Sequence, residues 1–262
     1  MDARKEKFDI IIQGGQSNAE GTGHGPVDTV WTPSPKYMYL QAKKTVETLE
    51  DGLRIEYADE PFSLDIADDR AQNGGTYGDF SLTFAQEYDK AGLLQDGRKL
   101  LIVRSAVGGT GFMKKHWGLH DMLYLKMLEM VDYALSLNPE NKIVGFLWHQ
   151  GEHDAFEKNE PSTYKKQLAG MIEEVRARYG NMPFVAGDFC NEWKSENLEI
   201  CNPIVQVIRE VVAESGNAGF VETADLPSNN QKHGNGDVIH FCRQSLRDLG
   251  RRYFEAYKNL RK

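Results

Sequence analysis

A run of β-branched residues that breaks into two glycines and then a polar cluster constrains this chain most: Ile10-Ile11-Ile12-Gln13-Gly14-Gly15-Gln16-Ser17-Asn18-Ala19-Glu20-Gly21. Consecutive isoleucines read as a strand buried on both faces, the pattern of a parallel sheet covered by helices. The glycines let the backbone turn sharply at the carboxyl end of that strand. Ligands of open α/β sheets collect outside the carboxyl ends of the strands. Ser17, just past the turn, is therefore placed as a nucleophile. A serine there equally suits the N-cap of a helix. This stretch alone does not separate the two readings.

The rest of the chain alternates strand and helix. Apolar runs at 8–13, 100–103, 143–148, 184–187 and 220–223 read as strands. Amphipathic segments at 79–91, 121–137, 162–179, 203–215 and 243–260 read as helices. Leu125, Leu128 and Leu135 are expected on the inner face of the second. A repeated β-α pattern implies a parallel sheet with helices on both faces. Five strands suit an α/β, three-layer α/β/α sandwich with a central, mostly parallel five-stranded sheet; a closed barrel needs eight. Without an internal repeat, low-complexity run or linker, one domain over 1–262 is expected. It carries a long insertion at 22–78, punctuated by Pro26, Pro33, Pro35, Pro61 and Gly74-Gly75. A short hairpin is expected there, from 37–40 and 46–49. A loop of that length is expected to be functional and to line one wall of a site.

Bulk properties remove several function classes. Of the 262 residues, 40% are hydrophobic and 27% charged, as in ordinary globular proteins. A formal net charge of −8 argues against nucleic-acid or anionic-membrane partners. No apolar run reaches transmembrane length. The first seven residues carry charges and lack the apolar core of a leader, so the sequence as it stands reads as cytoplasmic. It reads as secreted or periplasmic if a leader has been removed. Cys190, Cys201 and Cys242 lack metal-type spacing; free buried thiols are expected, with one disulfide as the alternative.

Three more polar clusters follow strands. The second strand runs into Arg104-Ser105-Ala106-Val107-Gly108-Gly109-Thr110, whose glycines can present N–H groups to an anion. The third runs into Trp148-His149-Gln150-Gly151-Glu152-His153-Asp154. There the Gln150 amide can donate to an oxyanion, while Trp148 and His149 suit core packing. His149, Glu152 and His153 match no standard metal spacing, and no metal site is expected. The fourth cluster is Asp237-Val238-Ile239-His240, just before the last helix. Asp and His three apart in a turn can hydrogen-bond, leaving Nε2 free as a base.

Gly15-Gln16-Ser17-Asn18, Ala106-Val107-Gly108-Gly109-Thr110, Trp148-His149-Gln150-Gly151-Glu152 and Asp237-Val238-Ile239-His240 resemble, in order, the blocks of SGNH-type hydrolases. The sialate O-acetylesterase-like branch and carbohydrate esterase family 6, with its acetylxylan esterases, are the most similar. The resemblance extends to Tyr57-Ala58-Asp59-Glu60-Pro61 and to 79–85. It implies that Ser17 attacks an ester carbonyl, His240 takes the proton and Asp237 orients His240. It implies an oxyanion hole from the Ser17 N–H, a glycine N–H (Gly109 in preference to Gly108) and the Gln150 amide. Gln16 and Asn18 flank the nucleophile. Glu152 either braces the Ser17 loop through backbone N–H groups or shares the orienting of His240. No metal or organic cofactor is implied.

The implied substrate is an acetylated carbohydrate: acetylated xylan, another acetylated sugar or O-acetyl sialic acid. Trp117 is expected to stack on a sugar ring; Trp31, Tyr37, Tyr57 and Tyr77 could join it but better suit local packing. Arg104 and Lys114-Lys115 are the cations suited to a sugar acid. A lipid or thioester hydrolase on the same scaffold, or a carbohydrate-binding protein without catalysis, are the alternatives. Oligomeric state is not readable from the sequence.

Overall fold

The computed structural model of the chain describes residues 2–29, 31–50, 52–69 and 78–261. The isoleucine run lies in β1 (Lys7–Gly15), the middle strand of a seven-stranded sheet. Alternation along β1 splits its side chains between two cores: Ile10 and Ile12 enter one, Ile11 the other. The first core packs under α3 (Met122–Ser136), α5 (Pro161–Tyr179) and α7 (Leu198–Glu214). The second packs under α2 (Phe80–Lys90) and α8 (Arg243–Asn259). Helices therefore cover both faces, as the unbroken apolar strands require.

The five expected strands are β1, β6 (Arg98–Arg104), β7 (Lys142–His149), β8 (Phe184–Gly187) and β9 (Ala218–Val221). All pair in parallel. The insertion adds two more, which corrects the expected count. β2 (Tyr37–Gln41) runs parallel to β6, and β5 (Ser63–Ile66) caps that edge antiparallel to β2. The order is β5-β2-β6-β1-β7-β8-β9. From β6 the chain crosses β1 to enter β7, so the switch point lies at the carboxyl end of β1.

Other boundaries move for local reasons. The 37–40 run does not pair with 46–49: Met38 and Leu40 are fully buried against the main sheet's core. The hairpin instead joins β3 (Lys44–Leu49) to β4 (Gly52–Tyr57) as a separate two-stranded ribbon. α7 starts at Leu198, with Pro203 inside it rather than at its first turn. In α3, Leu128 is buried and Leu135 packs against the core, but Leu125 is 49% exposed. Cys190, Cys201 and Cys242 are free and buried. Among the described residues no helix is long and apolar enough to cross a membrane.

Candidate active site

The site is assembled at the end of β1 by backbone hydrogen bonds. Gly15 has φ +127°, and a Cβ there would lie 2.1 Å from the His149 carbonyl oxygen. Only glycine lets the chain pass so close. The Gln16 N–H donates to that same oxygen at 3.0 Å. On the other side the Ser105 N–H donates to the Gln13 carbonyl (3.0 Å) and the Val107 N–H to the Gly15 carbonyl (3.1 Å). The second and third polar clusters are thus sewn to the strand that delivers the first. Ser17 then opens the short helix α1 (Ser17–Glu20) and is half-buried; the preceding cap residue, Gln16, makes no side-chain cap hydrogen bond.

The fourth cluster comes from the far end of the chain and is clamped onto this rim by Asn18. Its Oδ1 accepts the Phe241 N–H (3.0 Å) and its Nδ2 donates to the Ile239 carbonyl (3.2 Å), gripping both neighbours of His240. Asn229 holds the other side. Its N–H donates to the His240 carbonyl (2.8 Å) and its amide donates to the Thr22 carbonyl (2.9 Å). The result is a contact between residues 223 positions apart: His240 Nε2 lies 2.7 Å from Ser17 Oγ. His240 Nδ1 contacts the Asp237 carboxylate. An N–H facing a carboxylate assigns the proton to Nδ1 and leaves Nε2 to accept the Ser17 hydroxyl. Burial opposes the charge on Asp237, but the His240 ring and the N–H groups of Ile239 (2.9 Å) and His240 (3.3 Å) hold its carboxyl below the ordinary value.

Directly behind Asn18 is a second His–carboxyl pair. Glu152 opens α4 (Glu152–Phe156) and is fully buried; its Oε1 accepts Asn18 Nδ2 at 2.9 Å. Of the two roles expected for Glu152, the structure matches neither in detail. It braces the Ser17 segment through the Asn18 side chain rather than through backbone N–H groups, and Asp237 alone contacts the His240 ring nitrogen. His149 Nε2 lies 3.6 Å from Glu152 Oε1. Tyr253 donates its hydroxyl to the Trp148 carbonyl (2.8 Å), so its bond with His149 Nδ1 (2.9 Å) takes the proton from His149. Burial pushes His149 down to about 3 and Glu152 up. The imidazole is thereby held neutral, beside a carboxyl whose charged form burial disfavours. Glu152 and His153 both line the cavity, and His149 does not.

The groups expected in an oxyanion hole separate. Among the described residues no acceptor faces the N–H of Ser17 or of Gly109. The Gly108 N–H is taken by the Glu20 carboxylate at 2.7 Å. Gln150 is 1% exposed and lies off the cavity. Its amide donates to Asp154 Oδ2 (2.6 Å) and to the Thr110 carbonyl (3.3 Å), and its oxygen accepts from Tyr164 (3.2 Å). Asp154 also accepts the N–H groups of Phe112 (3.0 Å) and Met113 (2.9 Å). Here Gln150 and Asp154 tie the second cluster to the third. Gln16 lines the cavity, its amide oxygen held by the His153 N–H at 3.3 Å.

Ser17 and His240 lie on an open cavity of about 1050 Å3. Its outer wall comes from the insertion: Gln41, Lys43, Lys44, Leu53 and Glu60 are among its lining. The expected sugar contacts are elsewhere. Trp117 is fully buried, edge-on to Trp148 with centroids 5.0 Å apart, and its Nε1 donates to Thr110 Oγ1 at 3.0 Å. Arg104 is a clamp: it stacks on Tyr39, donates to Gln41 Oε1 (2.9 Å) and to the Glu20 carbonyl (2.6 Å), and lies off the cavity. Trp31 is buried, and Tyr37 and Tyr57 are held by Asp89 and Lys126. Lys114 pairs with Glu157 at 3.3 Å. Tyr77 and Gly74-Gly75 fall outside the described residues. The aromatic at the cavity is Phe156, 67% exposed at the end of α4. An apolar ring in the polar run after Glu152 was the sequence signal for it.

The sequence matches the family described as carbohydrate esterase, sialic acid-specific acetylesterase, over residues 7–259. A probable carbohydrate esterase of Arabidopsis thaliana is 28% identical over 174 residues, 64% of this chain and 62% of the relative. The X-ray structure of that Arabidopsis protein superposes with a TM-score of 0.66 at 21% identity, covering 97% of this chain and 98% of its own. The crystal structure of NanS gives 0.70 at 21% identity, covering 97% of each. A family 3 carbohydrate esterase of Clostridium thermocellum gives 0.52 at 10% identity, over 97% and 98%. At these identities the structures establish a common fold. The match of the family across the sheet and all four polar clusters goes further: the chain belongs to the sialic acid-specific acetylesterase family of carbohydrate esterases.

Proposed function

We propose that this protein removes O-acetyl groups from a carbohydrate through a Ser17 acyl-enzyme. The observation that carries the reading is the unbroken line from Asp237 through His240 to Ser17 Oγ, with 2.7 Å at the reacting end. A serine hydroxyl is a weak nucleophile unless a base takes its proton during attack. His240 Nε2 is the base, and Asp237 fixes its tautomer and stabilises the imidazolium. Ser17 Oγ bonds to the acetyl carbon as its proton passes to Nε2. The carbonyl oxygen gains negative charge and is met by the N–H groups of Ser17 and Gly109. Collapse breaks the bond to the sugar oxygen, which leaves with the proton from Nε2. Water then repeats the sequence and releases acetate.

The wall supports a sugar over a long acyl chain. Lys43, Glu60 and Gln41 offer hydroxyl partners, and Phe156 offers a ring at the mouth. The test is twofold. Ser17→Ala is expected to lower turnover of p-nitrophenyl acetate about 10^5-fold with an unchanged melting temperature. Acetate release from acetylated xylan, O-acetyl sialic acids and simple acetylated sugars then names the carbohydrate. Full turnover by Ser17→Ala, or faster cleavage of octanoyl than acetyl esters, overturns the reading.

A further inference from the structure

An ion pair beside the nucleophile has no part in the acyl-transfer scheme above. Glu20 and Lys44 both line the cavity, with Glu20 Oε1 3.0 Å from Lys44 Nζ. The other carboxylate oxygen accepts the Gly108 N–H at 2.7 Å. A Cβ built on Gly108 would lie 3.3 Å from that oxygen and 3.4 Å from Ser17 Cβ, so the two are at most the sum of these, 6.7 Å, apart. A carboxylate oxygen thus lies within 6.7 Å of Ser17 Cβ, close enough to act on an ester oxygen that is to become negative there. Left uncompensated it would oppose the transition state, since like charges near a partly desolvated site are poorly screened.

Lys44 is supplied from outside the main sheet. It begins β3 of the insertion's ribbon, most of whose β3 residues are exposed. Two-stranded ribbons are marginal alone. This one is anchored by Ile55, which is buried, and by Leu53, which packs on the core and reaches within 3.1 Å of a Cβ on Gly109. Among the described residues, the groups facing Glu20 from the neighbouring elements include Lys44 on β3, Tyr57 on β4 and Arg104 on β6. Burial works against the Glu20 charge, but Lys44, the Gly108 N–H and Arg104 hold its carboxyl below the ordinary value. The group is a carboxylate, and its Gly108 bond fixes the turn that presents Gly109.

Building on the esterase reading, we propose that Lys44 is a positioning residue that neutralises Glu20, letting a carboxylate hold the oxyanion turn without opposing the oxyanion. The insertion's ribbon is then part of the reaction machinery as well as a wall. Lys44 acts through Glu20, so its effect falls on the developing charge and not on binding of a neutral ester.

The experiment is a two-residue cycle on p-nitrophenyl acetate, a small uncharged ester that gives a lysine nothing ionic to recognise. Lys44→Met is expected to lower kcat about 10- to 100-fold, the size of one unit-charge repulsion at that separation with an effective dielectric constant of about 20, and to leave KM within about threefold. Adding Glu20→Gln to Lys44→Met keeps the acceptor for Gly108 and removes the charge. It is expected to restore most of the lost kcat, with melting temperatures of both variants near wild type. An unchanged kcat in Lys44→Met overturns the assignment. So does a loss that Glu20→Gln does not restore, or one carried by KM. Ser17→Ala run alongside separates the two levels. If it is inactive while Lys44→Met is silent, only the role of Lys44 falls; if it is active, the esterase reading falls as well.

Discussion

Two histidine–carboxyl pairs lie on either side of Asn18, and their difference shows how little residue type alone decides. Asp237 and His240 are three apart in sequence, as are His149 and Glu152. The front pair is in contact and about a quarter exposed; the rear pair is 3.6 Å apart and fully buried. In front, N–H donors and the ring keep the carboxyl ionised and the imidazole in one tautomer. Behind, burial without enough donors pushes the acid up and the base down, so charge is disfavoured on both. Among the described residues Glu152 Oε2 and His149 Nε2 have no hydrogen-bond partner. The front pair suits proton transfer, and the rear pair is a strut.

The largest expected contrast is between the histidines. His240→Ala should lower kcat on p-nitrophenyl acetate about 10^5-fold with little change in unfolding free energy. His149→Ala leaves a cavity in the core beside Tyr253 and should cost about 2–4 kcal/mol in denaturant melts, with kcat within about tenfold of wild type. Loss of turnover in folded, fully stable His149→Ala would erase the distinction.

The carboxyls sharpen it. Asp237→Asn presents the wrong group to Nδ1 and should cost about 10^4 in kcat. Glu152→Gln keeps the oxygen for Asn18 and should leave kcat within about tenfold. Its signature is in stability against pH. The folded-state pKa of Glu152 is raised, so its contribution is present below the unfolded value and lost as pH rises toward the folded one. That of Asp237 is lowered, so its contribution is present above the unfolded value and lost as pH falls through the folded one. Glu152→Gln should therefore raise the melting temperature at pH 8 relative to pH 4, and Asp237→Asn should do the reverse. Parallel pH profiles would show that the two carboxyls share an environment.

What the sequence reveals of this arrangement follows the range of the interactions. The isoleucine run and the strand ends could be read because burial on two faces leaves a local pattern. The block resemblance brought Ser17, Asp237 and His240 together although they are distant in the chain. The partner of a strand is not local: nothing in Tyr37-Met38-Tyr39-Leu40 names β6 as its neighbour. Nor does an indole announce its exposure. Trp117 suits a sugar platform on sequence grounds, yet its N–H is spent on Thr110 and its ring on Trp148. The block places an amide at Gln150 and so suggests an oxyanion donor; the four-residue reach to Asp154 that occupies it is a tertiary fact.

Asn18 joins the two pairs, so breaking it tests whether they act as one. Asn18→Ala removes the grip on Ile239 and Phe241 and strips Glu152 of a donor. Unsatisfied buried partners should cost about 1–3 kcal/mol in stability. Loosening of the 237–241 turn should lower kcat about 10- to 100-fold with KM little changed, since misplacing the base by a fraction of an ångström affects only the reacting geometry. Undiminished kcat would mean that Asn229 alone positions His240.

The smallest effect belongs to the cavity's rim and asks a different thing of the same helix. Glu152 opens α4 and faces inward; Phe156 closes it and faces the cavity, 67% exposed. An exposed phenyl ring costs water contact unless something covers it, and a sugar's C–H face is suited to do so. Phe156→Ala should leave folding and the hydrolysis of p-nitrophenyl acetate unchanged, because that ester does not extend to the rim. It should raise KM for an acetylated oligosaccharide by about three- to tenfold, a loss of roughly 1 kcal/mol of ring contact. Phe156→Tyr or Trp, which keep the platform, should retain the wild-type KM. Equal KM values for the oligosaccharide in Phe156→Ala and wild type would move the sugar off α4 and onto the ribbon, which also lines the cavity.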